Sequence, residues 1–158
     1  MSRLDSMLRR FTAQRDGLNW AAEQTSGLEG DVLDLGLGNG RTYDHLREIL
    51  PRRRIWVIDR VLQCHASCVP PEADFLQGEA EPMLHKLIGN DTRIDLAHYD
   101  FGFGDKAKDV SEAARLSPLI ARAMVPSGII VSGQPLVGMK QITGPDSIAR
   151  DRYLFYRA

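Results

Sequence analysis

The chain carries, at the point that decides its fold, the stretch Val32-Leu33-Asp34-Leu35-Gly36-Leu37-Gly38-Asn39-Gly40-Arg41-Thr42-Tyr43. An apolar run ends in an acid, three glycines follow at alternate positions, and a helix-like pattern then continues to Leu50. A strand, a glycine turn and a helix in this order form the ligand-binding corner of a doubly wound α/β fold. Glycines are needed there because side chains would keep a ligand away from the backbone. We therefore predict a cofactor at this corner.

Length and composition limit the classes of protein to consider. The 158 residues, of which 43% are hydrophobic and 26% charged, predict one globular domain over residues 1–158. A net charge of -1 lacks the cationic excess of nucleic-acid-binding proteins, and Arg52-Arg53-Arg54 is interpreted as a solvated loop. No apolar run reaches the roughly 18 residues of a membrane span. We expect neither nucleic-acid nor membrane partners.

The two cysteines predict a compartment and bear on metal binding. Together with an α/β pattern they favour a reducing cytoplasm. Cys64, His65 and Cys68 supply three potential metal ligands, but no second cluster completes a tetrahedral site. We therefore predict two free thiols and no bound metal.

Apolar stretches alternate with helical patterns along the chain. This alternation predicts a Rossmann-like doubly wound sheet, mostly parallel, with helices on both faces. Residues 1–28 are predicted to form an N-terminal helical lid, and residues 31–158 the α/β core. The predicted strands are 31–35, 55–59, 74–77, 94–99 and 129–132, and the predicted helices between them are 41–50, 81–88 and 110–124.

The tail departs from this alternation. Residues 136–142 and 153–156 have strand patterns, and Gly144-Pro145-Asp146 between them has turn chemistry. We therefore predict an antiparallel hairpin at the end of the sheet. Residues 153–156 would then be an apolar edge strand, which predicts pairing with a second copy in a homo-oligomer.

The spacing of the glycines distinguishes between cofactors. A nicotinamide dinucleotide site uses G-x-G-x-x-G and would need a glycine where Arg41 stands. No Gly-Lys-Ser/Thr follows the turn, so it is not a Walker phosphate loop. Asp34 precedes Gly36 by two residues, and an acid at that place suits a ligand with amine or hydroxyl donors rather than phosphates.

At these residues the chain resembles the class I S-adenosylmethionine-dependent methyltransferases, whose first motif is an acid followed by G-x-G-x-G. It also resembles a small bacterial group of short methyltransferase-like proteins with Gly-Leu-Gly-Asn-Gly-Arg-Thr-Tyr. The similarity is good over residues 31–132 and loose in the tail. Further matching features follow in the family's order: Ile58-Asp59, the turn at 75–80, the strand at 95–100 and the proline-glycine turn at 125–131. The resemblance implies S-adenosylmethionine as cofactor and methyl transfer to a small acceptor.

The resemblance also implies roles for single residues. Asp59 would hold both ribose hydroxyls, because a carboxylate matches a diol. Asp34 would hold the methionine amino group, unless it caps a helix, and Glu79 stands where the family usually has Asp beside the adenine. Thr42 and Tyr43 would contact the methionine carboxylate, unless Thr42 caps the helix. The cofactor-binding residues so implied are Asp34, Gly36, Leu37, Gly38, Asn39, Gly40, Thr42, Tyr43, Asp59, Arg60, Gly78, Glu79, Ala80, Tyr99 and Arg15.

Residues of the lid and of the fourth strand have two interpretations each. Gln14 and Arg15 either contact the methionine carboxylate or are a solvent-facing pair. The candidates for catalysis are His98, Tyr99 and Asp100, although a base helps only if the acceptor must lose a proton. Their structural alternatives are a satisfied core histidine, a ring packed under the adenosyl group and a ligand of the methionine amine. An aromatic acceptor pocket is predicted from Trp20, Tyr99, Phe101 and Phe103.

Two other functions remain as alternatives. A cofactor-binding sensor or assembly subunit without catalysis is one, since little chain remains for a substrate site. A nicotinamide-dependent dehydrogenase is less favoured because of Arg41. A magnesium-dependent methyltransferase would need acidic ligands after the fifth strand, where Ser132-Gly133-Gln134 stands, so we predict no magnesium.

Overall fold

The computed structural model describes residues 1–150 and 152–158 and folds around a seven-stranded sheet. Two short 3-10 helices, Ala66–Cys68 and Glu72–Asp74, lie between the second and third strands. In chain order the main elements are α1 (Arg3–Gln24), β1 (Asp31–Leu35), α2 (Arg41–Ile49), β2 (Ile55–Asp59), β3 (Phe75–Gln77), α3 (Ala80–Gly89), β4 (Ile94–Tyr99), α4 (Lys106–Ala123), β5 (Met124–Ser132), β6 (Lys140–Ile142) and β7 (Leu154–Arg157).

The order of the strands is β3-β2-β1-β4-β5-β7-β6. The first five are parallel, and β7 is antiparallel to both β5 and β6. The direction in which the sheet grows reverses between β1 and β4, and ligands of such sheets bind beyond the carboxyl ends of the strands at this reversal. The predicted fold class, including the antiparallel end, is confirmed.

Two apolar cores cover the two faces of the sheet. Successive residues of a strand point to opposite faces, so Leu33 and Leu35 pack on one side of β1 and Val32 on the other. The first core includes Leu84 of α3 and Leu116 of α4, and the second includes residues of α1 and α2. Because helices cover both faces of the sheet, the edge formed by the carboxyl ends of its parallel strands remains accessible, and we call this edge the rim.

Helix α1 connects this core with the rim. It begins with a capping box, in which the Ser2 hydroxyl accepts from the Asp5 amide at 3.0 Å and the Ser2 amide donates to the Asp5 carboxylate at 3.1 Å. Its second half packs on the sheet, and a Cβ on Gly17 would lie 3.2 Å from the Phe155 ring. Glycine therefore permits this close contact. Residues 1–10 are exposed and extend past the sheet.

The tail corrects one prediction. Strand β7 has backbone partners on both sides, since it pairs with β5 and with β6. The interpretation of residues 153–156 as a free edge that pairs with a second copy is therefore wrong. The predicted hairpin is present, with β6 limited to 140–142. Self-association through another surface stays a prediction, which gel filtration tests.

The start of β5 also differs from the prediction. The strand begins at Met124, and the predicted turn at Pro126-Ser127-Gly128 is a bulge within it. Ser127 has φ 70, and the pairing shifts between Ile94–Met124 and Leu96–Ile129. The extra residues allow the chain to leave α4 and enter β5 directly.

One arginine of the basic run is used inside the protein. Arg53 donates to the fully buried Asp95 carboxylate and to the Gly30 carbonyl. The interpretation of this run as solvated is therefore wrong for Arg53, whereas Arg52 and Arg54 are exposed, with the Arg54 guanidinium 3.7 Å from the centre of the Trp56 ring. Among the described residues, no helix is both long and apolar enough to cross a membrane.

Candidate functional site

Two cavities meet at the carboxyl edge of β1, β2 and β4. The first has a volume of about 370 Å³ and is lined by Ile58, Asp59, Arg60, Gly78, Glu79, Ala80, Phe101, Gly102, Phe103 and Glu112. We call it the ribose lobe, because the family resemblance implies that Asp59 binds a ribose. The helix lobe, of about 390 Å³, is lined by Met7, Phe11, Gln14, Leu37, Asn39, Arg41 and Thr42. Arg10, Gly36, Gly38 and Asp100 line both, and we call their meeting point the junction. Volumes of this size are typical of small-molecule sites. A slightly larger cavity of about 410 Å³ lies outside this edge and is lined by residues 141–146 and 148–150 with Tyr153 and Phe155.

The glycine turn separates the two lobes. Gly36, Gly38 and Gly40 have φ of 100, 48 and 84, which favours glycine at all three. A Cβ on Gly36 would lie 2.7 Å from the Cβ of Phe101, and one on Gly40 would lie 2.4 Å from the Cβ of Cys68. A Cβ on Gly38 would meet no atom within 4 Å. The outer glycines therefore permit close packing, and Gly38 faces the open cleft.

Asp59 meets this turn from the end of β2. Its Oδ2 accepts from the Gly38 amide at 3.1 Å, and its Oδ1 accepts from the Val61 amide at 3.2 Å. The two backbone donors orient the carboxylate at the mouth of the ribose lobe. Each oxygen keeps a free lone pair, so that the pair can accept from two adjacent hydroxyls. The donor set therefore fits a ribose diol.

Charge distinguishes the two lobes. The ribose lobe has four carboxylates, those of Asp59, Glu79, Asp100 and Glu112, against the guanidinium groups of Arg10 and Arg60. This excess favours a ligand with a positive charge and opposes one with phosphates. The helix lobe has Arg10 and Arg41 against Asp100 alone, with amides and a hydroxyl around them. It suits a carboxylate.

Asp100 lies at the junction, directly after β4. Its Oδ2 accepts from Arg10 Nη2 at 3.0 Å and from the Gln14 side-chain amide, both of α1. The negative charge of Asp100 raises the pKa of Arg10. Burial raises the pKa of the Tyr153 phenol, and the charge of Asp100 raises it further. Arg10 was not among the residues predicted from the sequence. It precedes Gln14 by one helical turn and so shares its face of α1.

Behind the junction, buried polar groups form a chain. Asp34 is fully buried, and its Oδ2 accepts from Thr42 Oγ1 at 3.3 Å. The Nδ1 of the buried His98 lies 2.7 Å from Asp34 Oδ1, and its Nε2 lies 3.4 Å from the Tyr153 hydroxyl. Thr42 does not cap α2, because Gly40 is its N-cap. Both oxygens of Asp34 therefore have protein partners, and its contact with the methionine amine stays a prediction.

Several other candidates lie away from the cleft surface. His98 is satisfied in the core, and Tyr99 is 1% exposed with its ring centre 4.8 Å from that of Phe101. Burial raises the pKa of the Tyr99 phenol. Both side chains are buried in this structure, and a catalytic role for either stays a prediction. Tyr43 is also buried, with Arg47 over its ring, and its contact with the methionine carboxylate stays a prediction.

Two residues of α1 also lie elsewhere. Arg15 bonds to Asp16 and lines a neighbouring groove with Leu8 and Arg41 rather than either lobe, and its contact with the cofactor stays a prediction. Trp20 packs on Phe155, with 5.1 Å between the ring centres. Gln14, in contrast, reaches the junction.

Of the remaining candidates, Gly40 lines neither lobe and faces Cys68, Gly36 and Gly38 line both lobes, and each of the others lines one. Gly36, Gly38, Asp59, Arg60, Gly78, Glu79, Ala80, Phe101 and Phe103 line the ribose lobe, and Leu37, Asn39 and Thr42 the helix lobe. In the cysteine segment, Nδ1 of His65 lies 2.8 Å from the Ser67 hydroxyl. In the part of the chain that is described, no three His, Cys, Asp or Glu side chains are arranged to hold a metal ion.

Comparisons with known proteins identify the family. A family model described as S-adenosyl-L-methionine methyltransferase matches residues 1–158, whereas no curated protein matches the chain. Among solved structures the chain is similar to an S-adenosyl-L-methionine methyl transferase from Silicibacter pomeroyi DSS-3, at 35% identity and a TM-score of 0.93, over 99% of this chain and 98% of that one.

More distant structures share the fold alone. The plantazolicin methyltransferase BpumL in complex with SAH is 16% identical, with a TM-score of 0.54, over 79% of this chain and 46% of that one. The sugar N-methyltransferase KedS8 from Streptoalloteichus sp ATCC 53650 is 19% identical, with a TM-score of 0.54, over 85% and 54%. The present chain spans about half the length of these two proteins. On the whole-chain family match, this protein belongs to the S-adenosyl-L-methionine methyltransferase family and is an S-adenosylmethionine-dependent methyltransferase.

Proposed function

We propose that this methyltransferase methylates a small molecule that binds at the junction. The observation that carries the proposal is the shape of the site, in which two lobes of about 370 and 390 Å³ meet at Gly36 and Asp100. A cofactor that spans both lobes brings its sulfur to the meeting point and leaves limited space beside it. That space fits a small acceptor better than a macromolecule.

Complementary chemistry orients the cofactor across the lobes. Asp59 accepts from the ribose hydroxyls, and Gly78 to Ala80 border the adenine. The methionine carboxylate faces Arg10, Arg41 and Thr42 in the helix lobe, where positive charge and a hydroxyl match it. When bound, S-adenosylmethionine supplies an electrophilic methyl group on a sulfonium. The carboxylates of the ribose lobe support this cationic centre.

Asp100 and the loop that follows it bound the space for the acceptor. The carboxylate is held by Arg10 and Gln14, so its position is fixed before the acceptor binds. Phe101 and Phe103 add apolar surface beside it. Asp100 orients the acceptor through a hydrogen bond and receives a proton if the acceptor has one to lose. Helix α1, the predicted lid, covers the junction by the same two contacts.

Transfer of a labelled methyl group tests the proposal. The protein is incubated with S-adenosylmethionine labelled in its methyl group and a bacterial extract separated into low-molecular-weight, protein and nucleic-acid fractions. We expect label in the low-molecular-weight fraction. Label confined to protein or nucleic acid contradicts a small acceptor, and no transfer to any fraction favours the alternative of a cofactor-binding sensor. Asp59→Ala serves as the control, because it should lose transfer while it remains folded.

We also infer that the protein acts in the cytoplasm. Cys64 and Cys68 are free thiols, which a reducing compartment maintains. Cell fractionation with an antibody against the protein tests this location, and recovery in an extracytoplasmic fraction contradicts it.

A further inference from the structure

The segment of residues 64–68 lies directly behind the glycine turn. The His65 amide donates to the Asn39 carbonyl at 3.3 Å, and Arg47 Nη2 of α2 donates to the Ser67 carbonyl at 2.5 Å. Because of these bonds, the segment and the turn move together. Its two cysteines line neither lobe, so the segment contacts the turn from outside the two cavities.

Both cysteines lie close to the same point of the turn, the position that a Cβ atom on Gly40 would occupy. The Cβ atoms of Cys68 and Cys64 lie 2.4 Å and 3.1 Å from the point where a side chain on Gly40 would begin. Two atoms at these distances from one point are at most about 5.5 Å apart, and a disulfide needs about 3.5–4.5 Å between Cβ atoms. A small movement of the segment is therefore enough to join the sulfurs.

We propose that Cys64 and Cys68 are a reversible disulfide site, and that the disulfide weakens cofactor binding by moving the glycine turn. Cys64 is half-buried and accessible, whereas Cys68 is buried beside Gly40. In this arrangement the Cys64 thiol is accessible to an oxidant, and the Cys68 thiol can then attack the mixed disulfide that forms at Cys64. The site is separate from the acceptor, so the proposal does not depend on the acceptor's identity.

The oxidant is a low-molecular-weight disulfide. The Cys64 thiolate attacks one of its sulfurs, a mixed disulfide forms, and the first small thiolate leaves and takes up a proton. The Cys68 thiolate then attacks the Cys64 sulfur, the protein disulfide forms, and the second small thiolate leaves. Two protein thiols are oxidised, one small disulfide is reduced to two thiols, and the protons of the cysteines end on those thiols.

The disulfide affects the cofactor because Gly40 packs against both cysteines. A disulfide holds the two Cβ atoms about 3.5–4.5 Å apart. Any movement that brings them to this separation also displaces the carbonyl and amide groups of residues 38–40. We expect the affinity for S-adenosylhomocysteine to fall about tenfold on oxidation. Linkage is reciprocal, so saturating S-adenosylhomocysteine should disfavour the disulfide by the same factor, which corresponds to about 30 mV in the reduction potential.

The experiment uses glutathione disulfide as oxidant and dithiothreitol as reductant. The sequence contains two cysteines, so an intramolecular bond removes every titratable thiol from the monomer and lowers its mass by two hydrogens. Calorimetry with S-adenosylhomocysteine then compares the oxidised and reduced proteins. Circular dichroism shows whether both remain folded.

Cys64→Ser and Cys68→Ser are the matched controls. Each should bind S-adenosylhomocysteine like the reduced protein, with or without oxidant treatment, because neither can form the internal bond. Loss of affinity in the oxidised protein but in neither variant supports the proposal. It is overturned if both thiols remain as mixed disulfides, if oxidation gives only dimers, or if the oxidised protein binds as tightly as the reduced one. Cys64 is half-buried, so Cys64→Ser remains a test even if Cys68→Ser does not fold.

Discussion

Replacement of Asp59 tests the assignment of the ribose lobe most directly. Its two oxygens accept from the Gly38 and Val61 amides at 3.1 and 3.2 Å, which aims the carboxylate at the cleft. Two charge-assisted hydrogen bonds to a ribose diol each contribute roughly 1.5–3 kcal/mol. Because Asp59 is partly exposed, we take the lower limit for both, a total of about 3 kcal/mol. Asp59→Ala should therefore weaken S-adenosylhomocysteine binding by roughly 100-fold.

The assay is calorimetry with S-adenosylhomocysteine on the wild type and the variant, with unfolding in urea as a parallel measurement. Asp59→Asn is the matched variant, since it keeps the shape but loses the charge and one acceptor. We expect its affinity to lie between those of the wild type and Asp59→Ala. A change of less than about threefold in Asp59→Ala, with the protein still folded, would refute the assignment of Asp59 to the ribose.

Three further predictions concern the turn, the core and pH. Gly40→Ala places a methyl group 2.4 Å from Cys68 Cβ at φ 84, so the free energy of unfolding in urea should fall by roughly 2–4 kcal/mol. Gly38→Ala should lose only roughly 1 kcal/mol of stability, and its main effect should be weaker binding of S-adenosylhomocysteine. Equal losses of stability in the two variants would contradict this. Asp95→Ala leaves Arg53 without its buried carboxylate and should lower the free energy of unfolding by about 3 kcal/mol. An unchanged midpoint of urea unfolding would refute the contribution of the Arg53–Asp95 ion pair to stability. Burial lowers the pKa of His45 below its ordinary value of 6.5. The folded protein therefore binds a proton at His45 less readily than the unfolded chain does. The stability that neutral His45 contributes is present above pH 6.5 and is lost as the pH falls below it. His45→Gln should show a smaller loss of stability on acidification than the wild type, measured by urea unfolding on both sides of that pH.

Most of the sheet could be predicted from local signals. Five-residue apolar runs such as Ile55–Asp59, bounded by turns, correspond to the observed strands, because a strand buried on both faces requires a continuous apolar sequence. The limits of α4 were less predictable. The structure starts this helix at Lys106, where the Asp105 side chain accepts from the Ala107 and Lys108 amides. Such a cap gives no apolar periodicity and was missed.

The candidate site was predictable where its residues follow a strand in the chain. The glycine turn and Asp59 come directly after β1 and β2, and parallel strands bring their carboxyl ends to one edge. Residues that reach the site from elsewhere were not predictable in this way. Arg10 bonds to Asp100 across 90 positions of sequence, and the Tyr153 hydroxyl lies beside His98 across 55. Nothing in the spacing of these residues pairs them.

By itself, the sequence determined the glycine turn, the parallel order of its elements and, through a family resemblance, the cofactor. These are encoded locally, since φ above zero favours glycine and a strand buried on both faces requires an apolar run. Only the tertiary structure decided that Asp34 and His98 are buried behind the site and that α1 brings Arg10 to Asp100. It also decided that β7 lies inside the sheet and that two cysteines pack against Gly40. These depend on side-chain direction and on contacts between distant segments, which are fixed when the helices pack on the sheet and are not carried by the periodicity of any one stretch.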